Sequence, residues 1–258
     1  MNYANTGLIY FIYLNVALYI FYFPFISSGP SDRPGFFKEN TFPSTFETFI
    51  EGIGRISLGI IYLLIFQEAL IQLPNNLNIP NIILPLQSFS ILYFNFAGYT
   101  HIAIGSSLLF GIRLTENFRK PWLSKDLSDF WKRWHITLTN FLMNYIYFPL
   151  LGVRQNISFS YSMLITLFVF LLAGFWHGPS WTFLFFGFLH GIAVIFNHLL
   201  SKLFNFKLGK FLSIFLTFNY VNITFIFFRS ENINDSILLL KKMFFNFNQY
   251  EILFLFQK

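Results

Sequence analysis

The sequence predicts an all-α, multi-pass integral membrane protein, and three observations carry that prediction. Of its 258 residues, 55% are hydrophobic and only 11% charged, whereas a soluble domain carries about 25% charged residues. The mean hydropathy is +0.57, which leaves too little polar surface to cover a globule in water. The apolar residues also fall in runs of roughly 20, the length that crosses about 30 Å of hydrocarbon as a helix.

The first run, Gly7 to Ile26, is closed by Ser27, Ser28, Gly29 and Pro30. It can span and has no basic leader, so it reads as a membrane helix rather than a cleavable signal. A polar loop from Ser31 to Glu51 follows, with Asp32, Arg33, Lys38 and Glu39. The second run extends from Gly52 to Leu73 and is ended by Pro74, Asn75 and Asn76. The third lies within Ile82 to Ile112, long enough for one span or a broken pair. Next comes the most charged stretch, Arg113 to Arg133. Phe141 to Leu151 is apolar but short, which fits an interfacial or re-entrant segment. Later spans are Ser158 to Phe175, Trp181 to Leu200 and Phe211 to Phe228. After Asp235, Leu and Phe set against Lys241 and Lys242 predict an amphipathic tail along the membrane surface. With no internal repeat and no separate soluble segment, residues 1–258 form a single transmembrane domain.

Basic residues orient the spans. Arg113, Arg119, Lys120, Lys125, Lys132 and Arg133 form one cluster and Lys202, Lys207 and Lys210 another. Two spans separate them, so both clusters fall on one side, the cytoplasmic one. The net charge of +6 is small, and its placement between apolar runs predicts a bilayer partner and no nucleic acid. Cysteine is absent, which excludes disulfides, thiolate metal sites and a thiol nucleophile. No histidine pair has zinc-site spacing with a carboxylate, so no metal is expected. There is no nucleophile elbow around Ser180, no P-loop and no dinucleotide fingerprint.

Polar groups in apolar surroundings cost several kcal/mol unless they are paired or functional, and two places stand out. In Asp129-Phe130-Trp131-Lys132-Arg133-Trp134-His135, helical spacing would pair Asp129 with Arg133 and pack the His135 imidazole on Trp131. The same residues also suit an aromatic-basic helix anchored at lipid headgroups. In Ala173-Gly174-Phe175-Trp176-His177-Gly178-Pro179-Ser180-Trp181, Gly178-Pro179 breaks the helix where two apolar runs meet. A break at membrane depth is tolerated where the chain is buried in protein or lines a wet cavity. His177 there is either a base able to accept a hydroxyl proton or a histidine satisfied by a carbonyl. His190, inside the next run, either faces the same cavity or hydrogen-bonds a neighbouring helix, and His198 reads as interfacial.

At these residues the sequence resembles the membrane-bound O-acyltransferases, in particular the bacterial branch of alginate O-acetylation proteins and D-alanyl-lipoteichoic acid transferases. The similarity runs in order along nearly the whole chain. Phe23-Pro24 with Gly29-Pro30 comes first, then Phe96-Ala97-Gly98-Tyr99 through Ala103-Ile104-Gly105 to Leu109-Phe110-Gly111. Glu116-Asn117-Phe118 and Pro121 precede the block from Asp129 to Leu138, and Tyr145-Ile146-Tyr147-Phe148-Pro149-Leu150 continues it. Trp176-His177-Gly178 with Trp181, Leu189-His190-Gly191 and Phe227-Phe228-Arg229 complete the series. Asn95 and His101 stand where the family usually carries acidic residues, and Leu151-Gly152 where it has a Gly-Gly turn. The family's first helices have no counterpart before Phe23-Pro24, so the resemblance implies a helical channel fold incomplete at the N-terminus. The chain would then be a truncated frame or the C-terminal portion of a split protein.

The resemblance implies a channel in which an activated acyl group from the cytoplasm meets an acceptor hydroxyl from outside. It assigns catalysis to His177, with His135 as its partner in the channel wall. Asp129, Trp131, Arg133, Trp134, Trp176, Trp181 and His190 are the candidate channel residues. The implied activity is transfer of an acyl group, acetyl by analogy, to a cell-surface or extracellular polysaccharide. The donor would be an acyl thioester, acetyl-CoA or an acyl carrier, used as substrate with no bound cofactor. An extracytoplasmic acetyltransferase would be a partner protein, and the cell (inner) membrane the location. The alternative is an inactive remnant or a non-catalytic subunit that needs a partner for the missing helices. A transporter is disfavoured, because neither repeated topology nor paired broken helices are found.

Overall fold

The computed structural model describes residues 41–76, 84–152, 157–204 and 208–245, with residues 17, 21, 22, 29 and 30. The expected first span, Phe23-Pro24, the charged residues Asp32 to Glu39, Lys207, the Lys242 side chain and the end of the tail lie outside the described residues. The described residues are helical without a named strand, and two isolated antiparallel bridges, Thr41 with Ile112 and Phe118 with Trp134, are present. Among the described residues, four helices are long and apolar enough to cross a membrane: Phe46–Gln72, Phe159–His177, Trp181–Leu203 and Lys210–Arg229.

The helices in chain order are α1 (Phe46–Ile61), α2 (Glu68–Asn76), α3 (Leu84–Leu109), α4 (Leu127–Trp131), α5 (Ile136–Leu142), α6 (Phe148–Leu151), α7 (Phe159–His177), α8 (Trp181–Phe204), α9 (Lys210–Arg229) and α10 (Ile233–Phe245). A π-helical turn at Tyr62–Gln67 joins α1 to α2, and another at Met143–Tyr147 joins α5 to α6.

Several boundaries differ from expectation for local reasons. Residues Phe46 to Glu51, expected in a loop, are the first turns of α1. Thr45 and Thr48 form a reciprocal cap there, each side chain accepting from the other's backbone N–H. At the far end the helix continues past Pro74 to Asn76. Proline has no N–H to give the carbonyl four residues back, and Gln87 Nε2 donates to that carbonyl, Leu70 O, at 2.6 Å. The third run is one helix, α3, about 39 Å long at 1.5 Å per residue. Phe141 to Leu151 is the latter part of a helical run that begins at Ile136, too short for a full crossing.

The chain divides into two compact units, residues 1–66 with 94–117 and residues 67–93 with 118–258. In the first, α1 crosses the C-terminal part of α3 antiparallel at two pairs of glycines. A Cβ on Gly52 would stand 2.9 Å from Gly105 O, and one on Gly59 2.5 Å from Gly98 O. Both glycine pairs are spaced by seven, two helical turns, so they line one face of each helix. Charged groups close the end of this crossing. Arg113 donates to both Glu51 carboxylate oxygens, at 2.9 and 2.8 Å. Arg55 pairs with Glu116 and also donates to His101 Nδ1 at 3.1 Å. His101 thus has a specific partner, a lone arginine within an apolar run.

The second unit is built on the α7–α8 hairpin. A Cβ on Gly174 would meet Phe183 O, and one on Gly187 Phe170 O, each at 2.3 Å. Bare backbone therefore sets the distance between these helices. Helix α9 is the most enclosed, with Val221, Asn222, Thr224, Phe225, Ile226 and Phe227 buried. Phe89, Phe130, Trp134, Phe186 and Phe225 form an aromatic core around it, with Trp134 and Phe225 centroids 5.2 Å apart. The tail forms the amphipathic helix expected, α10, and its Leu239–Met243 stripe is covered by Ile226 of α9.

Candidate functional site

All the sequence-predicted site residues fall in the second unit. The charged block begins where Asp126 caps α4, its carboxylate accepting the Asp129 N–H at 2.8 Å. Leu127 and Phe130 of that short helix turn inward and are buried. A helix of five residues depends heavily on its cap. Asp126→Ala is expected to lower stability by about 1 kcal/mol, read as a fall in the thermal midpoint of the detergent-solubilised protein.

Asp129 and Arg133 form the expected i, i+4 pair at 2.7 Å. Arg133 also donates to Arg119 O at 3.3 Å, and Asp129 accepts from the Lys125 N–H at 3.1 Å. The pair therefore fastens the loop before α4 to the turn after it. The expected packing of His135 on Trp131 does not occur. The helix stops at Trp131, Lys132 and Arg133 make a turn, and Trp134 bridges back to Phe118. His135 then takes a left-handed backbone, φ 47° and ψ 54°, a conformation few residues other than glycine adopt and that clusters at functional sites.

Trp131 instead reaches α8, its Nε1–H donating to His190 Nδ1 at 3.2 Å. His190 is fully buried, and its Nε2 lies 2.8 Å from Thr224 Oγ1 on α9. Of the two readings of His190, the structure displays the hydrogen bond to neighbouring helices. Trp134 is likewise a core residue, 5% exposed and stacked on Phe130.

His177 is the last residue of α7. Gly178 follows at φ +152°, where a side chain would be strained, and its N–H caps Phe175 O at 3.1 Å. Ser180 Oγ meets Thr182 Oγ1 at 2.9 Å and accepts its N–H as α8 begins. The close hairpin crossing below fixes this helix end. The His177 ring contacts Trp176 at 4.8 Å, Phe228 of α9 at 4.8 Å and Phe183 at 5.9 Å between centroids. Trp176 also lies 6.5 Å from the His135 ring, so one indole borders both histidines. Burial, with His177 as a neighbouring charge, pushes His135 down to about 3, which keeps that imidazole neutral at physiological pH.

His177 is only partly buried and makes no side-chain hydrogen bond to the described residues, so neither ring nitrogen is committed to one of them. A neutral imidazole beside a second one, walled by Trp176, Phe183 and Phe228, can take a proton from a hydroxyl in a largely apolar setting. His135, His177 and Trp176 thus come together. Asp129 with Arg133, Trp131 with His190, and Trp134 are engaged elsewhere in the unit, and Trp181 is 75% exposed at the start of α8. Among the described residues no group of three His, Asp or Glu side chains gathers as metal ligands would.

Sequence reasoning missed three participants. Phe228 was legible in the Phe227-Phe228-Arg229 motif but without a role. Phe183 follows the Gly178-Pro179 break closely enough for the turn to fold it back. Thr224 carried no signal, because threonines are common in apolar helices.

Residues 10–238 match the sequence model of the membrane-bound O-acyltransferase family. The chain is 35% identical over 248 residues to a peptidoglycan O-acetyltransferase of Helicobacter pylori, covering 90% of this chain and 46% of that protein. It is 32% identical over 232 residues to the "Probable alginate O-acetylase AlgI" of Azotobacter vinelandii, covering 86% and 46%. A teichoic acid D-alanyltransferase of Bacillus subtilis is 32% identical over 194 residues, covering 67% and 49%. The chain spans about half the length of these curated relatives.

Proposed function

Because the chain belongs to the membrane-bound O-acyltransferase family, we propose that it transfers an acyl group to hydroxyls of a cell-surface or extracellular polysaccharide, with His177 as the general base. The observation that carries this reading is the His177 ring, held at the end of α7 without a side-chain hydrogen bond to the described residues and with His135 across Trp176. Acetyl is the acyl group favoured by the likeness to an O-acetyltransferase at 35% identity. The donor is an acyl thioester, acetyl-CoA or an acyl carrier, delivered from the cytoplasm to a protein of the inner membrane. An extracytoplasmic acetyltransferase that receives or passes on the acyl group is the proposed partner protein.

In the reaction, the acceptor hydroxyl gives its proton to a ring nitrogen of His177 as its oxygen attacks the thioester carbonyl. The carbon–oxygen bond forms, the carbon–sulfur bond breaks, and the departing thiolate takes the proton back from the imidazolium. Neutral His135 lines the approach. The aromatic walls limit water and hold the reactants close, where proximity supplies much of the acceleration.

The test is expression of this chain in cells lacking their own surface O-acyltransferase, followed by measurement of ester-linked acetyl on the surface polysaccharide. Acetylation above the empty-vector level is expected. A chain that reaches the membrane folded and leaves the polysaccharide unmodified would overturn the proposal in favour of a non-catalytic subunit.

A further inference from the structure

We infer that His190 is a positioning residue, held as the neutral Nε2–H tautomer, that ties the turn bearing His135 to α8 and α9. The role rests on the reading of His135 and His177 as the acyl-transfer site, but the tautomer does not.

The proton positions follow from both ends of the chain of hydrogen bonds. An indole nitrogen only donates, and Trp131 Nε1–H points at His190 Nδ1 at 3.2 Å. Nδ1 must therefore be the bare, accepting nitrogen. At the other side, Thr224 has one hydroxyl proton and gives it to Val221 O at 2.8 Å. Its oxygen can then only accept from His190, 2.8 Å away, so Nε2 carries the proton. Either end alone sets the tautomer, and the two agree. The opposite tautomer would point two N–H groups at each other and leave Nε2 facing an oxygen whose proton is already committed. A doubly protonated ring would meet the same clash at Nδ1. With His190 fully buried, water has no access to relieve either arrangement.

The chain has a direction and a consequence: Trp131 donates to His190, His190 to Thr224, and Thr224 to the α9 backbone. Trp131 closes α4, and His135 stands four residues on, in a left-handed conformation that its own turn does not favour. Thr139 Oγ1 donates to Trp131 O at 3.0 Å, which fastens the helix after His135 to the same residue. Phe130 and Trp134, either side of this turn, rest on Phe225 of α9. Rings and the Trp131–His190–Thr224 line tie the turn to α8 and α9, and His190 is the centre of that line. A residue in this place sets where His135 sits without touching a reactant.

The test uses the whole chain in lipid nanodiscs with ring-¹⁵N-labelled histidine. There are five histidines, and His190→Gln identifies the His190 signals by their loss. Nε2 protonated and Nδ1 bare is the expected pattern, unchanged as pH passes through about 6.5, where an exposed imidazole titrates. A protonated Nδ1, or titration to imidazolium in the folded protein, would overturn the tautomer. Thr224→Val removes the acceptor at nearly constant shape. It is expected to move the His135 ring signals and to lower kcat on the order of tenfold to a hundredfold with KM little changed, and Thr224→Ser should restore both. His135 signals unmoved in Thr224→Val would overturn the positioning role. Should the parent chain transfer no acyl group, the proposed function fails, while the ring signals still decide both points here.

Discussion

Alanine at position 177 is expected to reduce acyl transfer by about 10²- to 10⁴-fold, the contribution of a well-placed general base. The fold should survive the change. His177 makes no side-chain hydrogen bond to the described residues, and its contacts are ring faces of Trp176, Phe183 and Phe228 that also touch other aromatics. Removing the imidazole therefore deletes a proton acceptor more than a structural tie. The measurement is polysaccharide-bound acetyl in cells carrying equal membrane levels of parent and His177→Ala chains. His177→Gln, which keeps polar volume but has no basic nitrogen, should be equally inactive. Equal acetylation by parent and variant would remove His177 from the mechanism.

Leucine at position 187 is expected to abolish the folded second unit. The first atom it adds would lie 2.3 Å from Phe170 O, and that oxygen belongs to helix backbone, so no rotamer change relieves the clash. Overpacking a well-packed core costs about 1–3 kcal/mol even when side chains can shift. Here α7 and α8 must separate, and with them Gly174, whose own Cβ position lies 2.3 Å from Phe183 O. The separation moves His177, one turn from that crossing, away from Phe228. The expected result is loss of the monodisperse species in detergent together with loss of activity. Gly54→Ala is the control, since a Cβ there meets nothing within 4 Å and alanine favours the helix by roughly 1 kcal/mol. If Gly187→Leu behaved as Gly54→Ala does, the close crossing would be wrong.

Most local signals were legible in the sequence where a short stretch decides its own fate. The later spans were found within a few residues of α7, α8 and α9, because about 20 apolar residues in a bilayer have little choice but to close their own hydrogen bonds. The break after His177 followed from Gly178-Pro179, and the Asp129–Arg133 pair from their i, i+4 spacing, which holds although Arg133 lies in the turn after the helix. Phe46 to Glu51 escaped because a Thr45–Thr48 cap outweighed a polar composition. The glycines at 52, 59, 98 and 105 were visible, two of them inside a family motif, but which helix each faced was not.

What the sequence by itself determined was the solvent, the helices and the family, since hydropathy and ordered motifs are properties of single segments. Only the tertiary structure decided the partners. Trp131 passes over His135, its neighbour in sequence, for His190 fifty-nine residues on. Arg55 takes His101 and Glu116 from a helix and a loop far along the chain. The reason is physical: a buried polar atom must find a partner, and which partner is nearest depends on how helices cross. That crossing is set by bare glycine backbone at points such as Gly174 and Gly187, where the deciding feature is an absent side chain.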